Sequence, residues 1–151
     1  MKQKQKKVAH FIENKNGTIT DNKTGLMWVK NPHTDLPEKF KGEMKWQPAI
    51  DACKALDFAG QKDWRLPTVE ELISIIDWTA GAKSGEPTID TKFFPDTKTS
   101  WYWTITPCPW VAGGARVVSF YSGGVDSSYE DGSFYVRLVR SSQRVGSLTI
   151  F

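Results

Sequence analysis

The sequence predicts a single α+β domain built on antiparallel strands, and three observations lead there. Along the 151 residues the patterns run as short strands, two helices, then strands again, with no strand–helix–strand alternation. Glycine-rich turns (Gly113-Gly114, Gly123-Gly124, Gly132) separate the later apolar runs, as hairpin connections do. The length is one domain's worth, and 7 Trp, 8 Phe and 4 Tyr exceed what a helix-and-sheet core of this size needs. Those rings either fill the core or make a binding face.

The first section reads as a meander. Asn16-Gly17 between Phe11-Ile12 and Thr18-Ile19-Thr20 is the strongest short-range hairpin signal. A second turn, Asn22 to Gly25, leads into Leu26-Met27-Trp28-Val29. Residues 31–44, with Asn31, Pro32, Pro37, Gly42 and mixed charges, read as a polar loop. Trp46, Ala49, Ile50, Cys53 and Leu56 then recur at helical spacing, with Pro48 in the first turn. Thr68 to Glu71 is a capping box that opens a second helix with the stripe Val69, Leu72, Ile73, Ile76. After Trp78 the texture changes to Gly81, Gly85, Pro87 and Phe93-Phe94-Pro95. Three β-type segments follow, at Trp101–Thr106, Ala115–Tyr121 and Phe134–Arg140. The division is a basic, disordered leader (1–10), the domain proper (11–140) and a tail (141–151) able to add an edge strand through Leu148–Phe151.

The net charge of +3 misleads as a single number. Lys2, Lys4, Lys6 and Lys7 lie in the leader, and taking four from +3 leaves the rest of the chain at −1. Nucleic-acid binding needs basic residues clustered on folded surface, so it is not expected. No apolar run is long enough to span a membrane. The segment Val8 to Ile12 is too short and polar for a secretory core. The address is therefore extracellular or periplasmic if an upstream signal has been removed, and otherwise cytoplasmic. Cys53 and Cys108 form either one disulfide or two buried thiols; the place of Cys53 on an apolar helix stripe favours thiols.

The motifs together resemble a bacterial family. They are Phe11-Ile12-Glu13-Asn14, Asn16 to Asn22, Thr24 to Trp28, Asp63 to Thr68 with Glu71-Leu72, Pro87-Thr88-Ile89-Asp90, Phe93-Phe94-Pro95, Tyr102-Trp103 and Tyr135 to Arg140. In this order they resemble the Lcl C-terminal domain family, named for the C-terminal domain of a collagen-like surface adhesin. The resemblance implies a C-type-lectin-like fold, two helices on a small antiparallel sheet with long loops, related to formylglycine-generating enzymes. It also implies export and a binding role, since the namesake binds sulfated polysaccharide. Similar folds serve as hypervariable binders in diversity-generating retroelements. Family members often pair a cysteine at the position of Cys53 with one where this chain has Leu138, so that disulfide is missing here. Lys45 stands where a small hydroxyl residue commonly caps the first helix, at a cost of about 1 kcal/mol unless another group substitutes.

Catalysis finds little to draw on. With His10 and His33 the only histidines, a nucleophile lacks a ready base, and the paired cysteines that hold copper in formylglycine-generating relatives are absent. The expectation is a non-enzymatic module with no cofactor. Asp126, Glu130 and Asp131 are a weak calcium candidate, since calcium wants about 6–8 oxygen ligands. The segment Tyr121 to Ser133 has the Tyr, Ser, Gly and Asp composition of adaptable recognition loops. Trp101, Tyr102, Trp110, Arg116, Tyr121, Asp126, Ser127, Ser128 and Tyr129 are therefore the candidate ligand-binding residues, with carbohydrate or polysaccharide as ligand. A surface protein is the alternative partner. Trp28, Trp46, Trp64, Trp78, Trp103, Phe93 and Phe94 are assigned to packing. Arg65 and Arg137, in apolar company, are expected to be buried and paired with Asp63, Asp77 or Asp90. Nothing in the sequence sets the oligomeric state.

Overall fold

Gly17, at φ +87°, turns the chain where the Asn-Gly signal placed a hairpin. Strand β1 (Phe11–Glu13) pairs antiparallel with β2 (Thr18–Asp21), and β2 with β3 (Leu26–Val29). The free side of β3 takes a strand from the far end of the chain, β7 (Val139–Ser141), with Trp28 opposite Val139. A second antiparallel sheet holds β4 (Trp101–Pro107), β5 (Gly114–Ser119) and β6 (Val125–Tyr129) in that order. These elements come from a computed structural model, which describes residues 9–81 and 85–141. The protein is thus a mixed α/β domain with two antiparallel sheets and few helices, and among the described residues no helix is long and apolar enough to cross a membrane.

The second sheet divides the interior. Trp103 and Val117 are cross-strand partners facing one cluster, with Trp64, Leu66, Ala49 and Cys53. Tyr102 and Val118, the next pair along, face another, with Trp28, Leu72, Ile76 and Phe94. Successive strand residues point to opposite faces, so both faces of β4–β5 are buried. Helix α2 (Trp46–Lys54) supplies the first cluster and α3 (Val69–Ile73) the second. The capping box forms in full: Thr68 Oγ1 accepts the Glu71 N–H while the Glu71 carboxylate accepts the Thr68 N–H. Lys45 offers α2 no side-chain cap, and the Glu130 carbonyl accepts the Trp46 N–H at 3.3 Å in its place.

Four expectations need correction. Residues 31–44 are not merely a polar loop, because helix α1 (Pro32–Asp35) and a 3₁₀ turn (Glu38–Phe40) bury His33, Leu36 and Phe40. The segment 121–133 is not all loop, since Val125–Tyr129 pairs residue for residue with Gly114–Val118 of β5. Phe134–Arg140 is not one strand. Phe134 bridges Met44, Tyr135 runs parallel to Tyr102, and only Val139–Ser141 joins a sheet, which stitches the two sheets together. Ala9 and His10 belong to the fold rather than a leader, for their carbonyls accept the side-chain and backbone N–H of Asn22, and His10 Nε2 lies 3.0 Å from Asp21 Oδ1. The rest of the leader, and the edge strand expected at Leu148–Phe151, lie outside the described residues.

Candidate functional site

The nine candidate residues separate into four groups. Tyr102 is wholly buried and cannot meet a ligand. Its hydroxyl accepts the Lys98 N–H at 2.8 Å and lies 2.7 Å from His33 Nε2. His33 Nδ1 is 2.8 Å from the Phe40 carbonyl, which can only accept, so Nδ1 carries the proton and Tyr102 donates to Nε2. Burial pushes the Tyr102 hydroxyl up to about 12 and lowers the pKa of His33, so both stay neutral inside. Trp101 is half-buried against the first cluster and is a scaffold residue in large part.

Trp110, Arg116, Ser127 and Tyr129 do come together. Arg116 pairs with Ser127, and Gly114 with Tyr129, so the register puts Arg116, Ser127 and Tyr129 on one face. Trp110, 71% exposed, swings over from the β4–β5 connection so that the Arg116 guanidinium sits 5.3 Å from its ring centroid. Tyr129 is 64% exposed beside them. Arg116 Nε is buried without a hydrogen-bond partner among the described residues. Asp126 and Ser128 face the other side of β6, and Asp126 Oδ1 accepts the Ser127 N–H at 2.8 Å, which blunts this outer strand.

Tyr121, 66% exposed, stands apart at the opposite end of the sheet, in the β5–β6 turn. The same turn carries Gly123, which meets a residue that the sequence assigned to packing. Trp78 is 65% exposed. Helix α3 stops at Ile73, where Ser74 donates to the Glu71 carbonyl, and tighter turns over Ile75 and Ile76 throw Trp78 off the buried stripe. Its ring lies across Gly123, at φ +80°, where a Cβ would run into the indole. Beneath it opens a cavity of about 530 Å³, bounded by the start of β1, residues 74–79, Asp90 and Phe93. The only sequence signal for this site was the mismatch between the helix period and the serine that ends it.

A family model described as the Lcl C-terminal domain matches residues 17–140. The chain belongs to the Lcl C-terminal domain family. No curated protein matches it. The span of this Lcl C-terminal domain runs from the turn of the first hairpin into β7 and takes in Trp78 and Trp110, while β1 with Phe11 lies ahead of it.

The remaining candidates are structural. Arg65 is half-buried and forks onto Glu71, at 2.7 and 2.9 Å. Burial alone would raise the Glu71 pKa, but the Arg65 guanidinium and the Thr68 N–H hold it below the usual carboxylate range. Arg137 is fully buried, donates to the Val29 carbonyl and Thr97 Oγ1, and lies 3.9 Å from Asp96 Oδ1. Neither arginine takes Asp63, Asp77 or Asp90; Asp63 pairs with Arg140 at 2.6 Å. Cys53 and Cys108 are free and buried, and desolvation pushes the Cys53 thiol up to about 12. Among the described residues no group of three His, Cys, Asp or Glu side chains is placed to hold a metal ion, so Asp126, Glu130 and Asp131 do not converge on a calcium site.

Proposed function

We propose that this domain is a non-enzymatic ligand-binding module of a bacterial envelope or secreted protein, with a C-type-lectin-like fold, holding carbohydrate against the Trp110 face. The observation that carries the reading is the stack of Trp110 on Arg116 with Ser127 and Tyr129 alongside. The C–H face of a sugar packs on an exposed ring while hydroxyl and guanidinium groups at its edge fix orientation. Arg116 adds charge-assisted hydrogen bonds to a carboxylate or sulfate. The family membership supports a polysaccharide ligand at a cell surface, and no metal or other cofactor is needed for this mode of binding.

The rival reading is a protein-binding receptor module, which the Tyr and Ser content of this face also suits. A glycan array and a pulldown separate the two. Glycan binding that survives chelation and is lost in Trp110→Ala and Tyr129→Ala supports the first. No glycan signal alongside a specific protein partner sinks it in favour of the second.

A further inference from the structure

We propose that the cavity beside Trp78 is a second binding site, separate from the Trp110 face, for an organic cation bearing an alkylammonium or guanidinium group. Three aromatic residues, Phe11, Trp78 and Phe93, line it together with Ile75 and two acidic residues, Asp77 and Asp90. At about 530 Å³ it falls within the range of small-ligand sites. Aromatic faces are negative and attract a cation, Trp most strongly. Lys92 Nζ already sits 5.8 Å from the Phe93 centroid, the geometry such a wall accepts.

The charge balance points the same way. Asp77 Oδ1 accepts both the N–H and the hydroxyl of Thr79, at 3.0 and 2.7 Å, and those bonds keep its pKa low and the group ionised. Asp90 Oδ1 accepts the Lys92 N–H at 3.0 Å. Among the described residues no Lys or Arg lines the cavity. His10, which also lines the cavity, places Nε2 3.0 Å from Asp21 Oδ1. An anionic ligand would be repelled by both carboxylates, whereas an ammonium or guanidinium group is attracted to them and to the aromatic rings beside them. The Trp78 ring packs on Gly123.

The test is an NMR titration of the full chain, followed at the Trp78 indole and the amides of residues 74–79. The probes are n-butylguanidinium, tetramethylammonium, n-butanol as the neutral comparator and butyrate as the anion. The cations give saturable shifts and bind at least about tenfold more tightly than n-butanol. Asp77→Asn and Asp90→Asn each weaken the cations without altering n-butanol. Trp78→Ala, at an exposed position, removes binding with thermal unfolding unchanged. Lys92→Gln takes a competing charge from the rim and leaves cation binding equal or tighter. Capped Gly-Lys-Gly outcompeting tetramethylammonium assigns the site to a basic side chain of a partner; the reverse order assigns it to a free quaternary amine. Butanol or butyrate binding as tightly as the cations, loss of binding in Lys92→Gln, or no saturable shift with any cation overturns the proposal.

Discussion

The two ends of the β4–β5–β6 sheet each display aromatic rings to solvent, yet they differ in electrical character. At the β4–β5 end Trp110 covers an arginine. At the β5–β6 end Trp78 borders a cavity whose lining, among the described residues, holds the carboxylates of Asp77 and Asp90 and no Lys or Arg. The rings give both ends the same capacity to bury apolar surface, so their neighbours decide what each can bind. Aromatic content marks a surface; the charge beside the ring sets its ligand class.

The comparison depends first on which rings belong to the ends at all. Tyr102→Ala removes a buried ring and the hydroxyl that holds His33, and should cost about 3–5 kcal/mol in chemical denaturation. Tyr129→Ala should stay within about 0.5 kcal/mol of the parent. Equal losses in the two variants would mean that Tyr129 is packed, and the division between interior and rim would fail. Gly123→Ala combines strain at φ +80° with collision into Trp78, and should cost about 1–3 kcal/mol while perturbing the Trp78 end alone. Heteronuclear NMR spectra in which Trp110 shifts as much as Trp78 would show that the ends are coupled.

Trp110→Ala should leave stability within about 0.5 kcal/mol and weaken glycan binding about tenfold or more, measured by calorimetry. Cation binding at Trp78 should be unaffected, because the two sites share no residue. The smallest expected effect comes from pH. His33 is neutral when folded since burial disfavours its imidazolium, so the unfolded chain binds the extra proton as pH falls. Its contribution is complete above the unfolded pKa of about 6.5 and declines below it. His33→Gln should flatten that part of the stability–pH curve. Glu71 acts lower, holding its contribution above the ordinary glutamate range and losing it as protonation breaks the Arg65 fork.

Local chemistry was legible in the sequence wherever a few neighbouring residues decide the outcome. The Asn16-Gly17 turn, the Thr68–Glu71 capping box and the apolar stripe of α2 all depend on contacts within a turn or two. What depends on distant partners was not legible. Val125–Tyr129 has a polar, serine-rich sequence with little strand character, and pairing with β5 makes it a strand. Alternation did not separate Tyr102 from Trp103, because both faces of their sheet are covered. His33 sits among prolines and charges, yet a single helical turn delivers it to the Tyr102 hydroxyl. Of the candidate site, the Trp110, Arg116, Ser127 and Tyr129 face came from composition; the Trp78 cavity did not, since it exists only because α3 ends a turn early.

The stitching of residues 134–141 into both sheets has a kinetic meaning. Leu26 finds its partner at Ser141, and Arg65 finds its partner at Val139. Contacts this distant in sequence close long loops, at a cost in entropy that slows the search for the native state. During synthesis the first three strands emerge early with one edge waiting, and no local hairpin can cover it. The β3 edge therefore stays unpaired until β7 has been made.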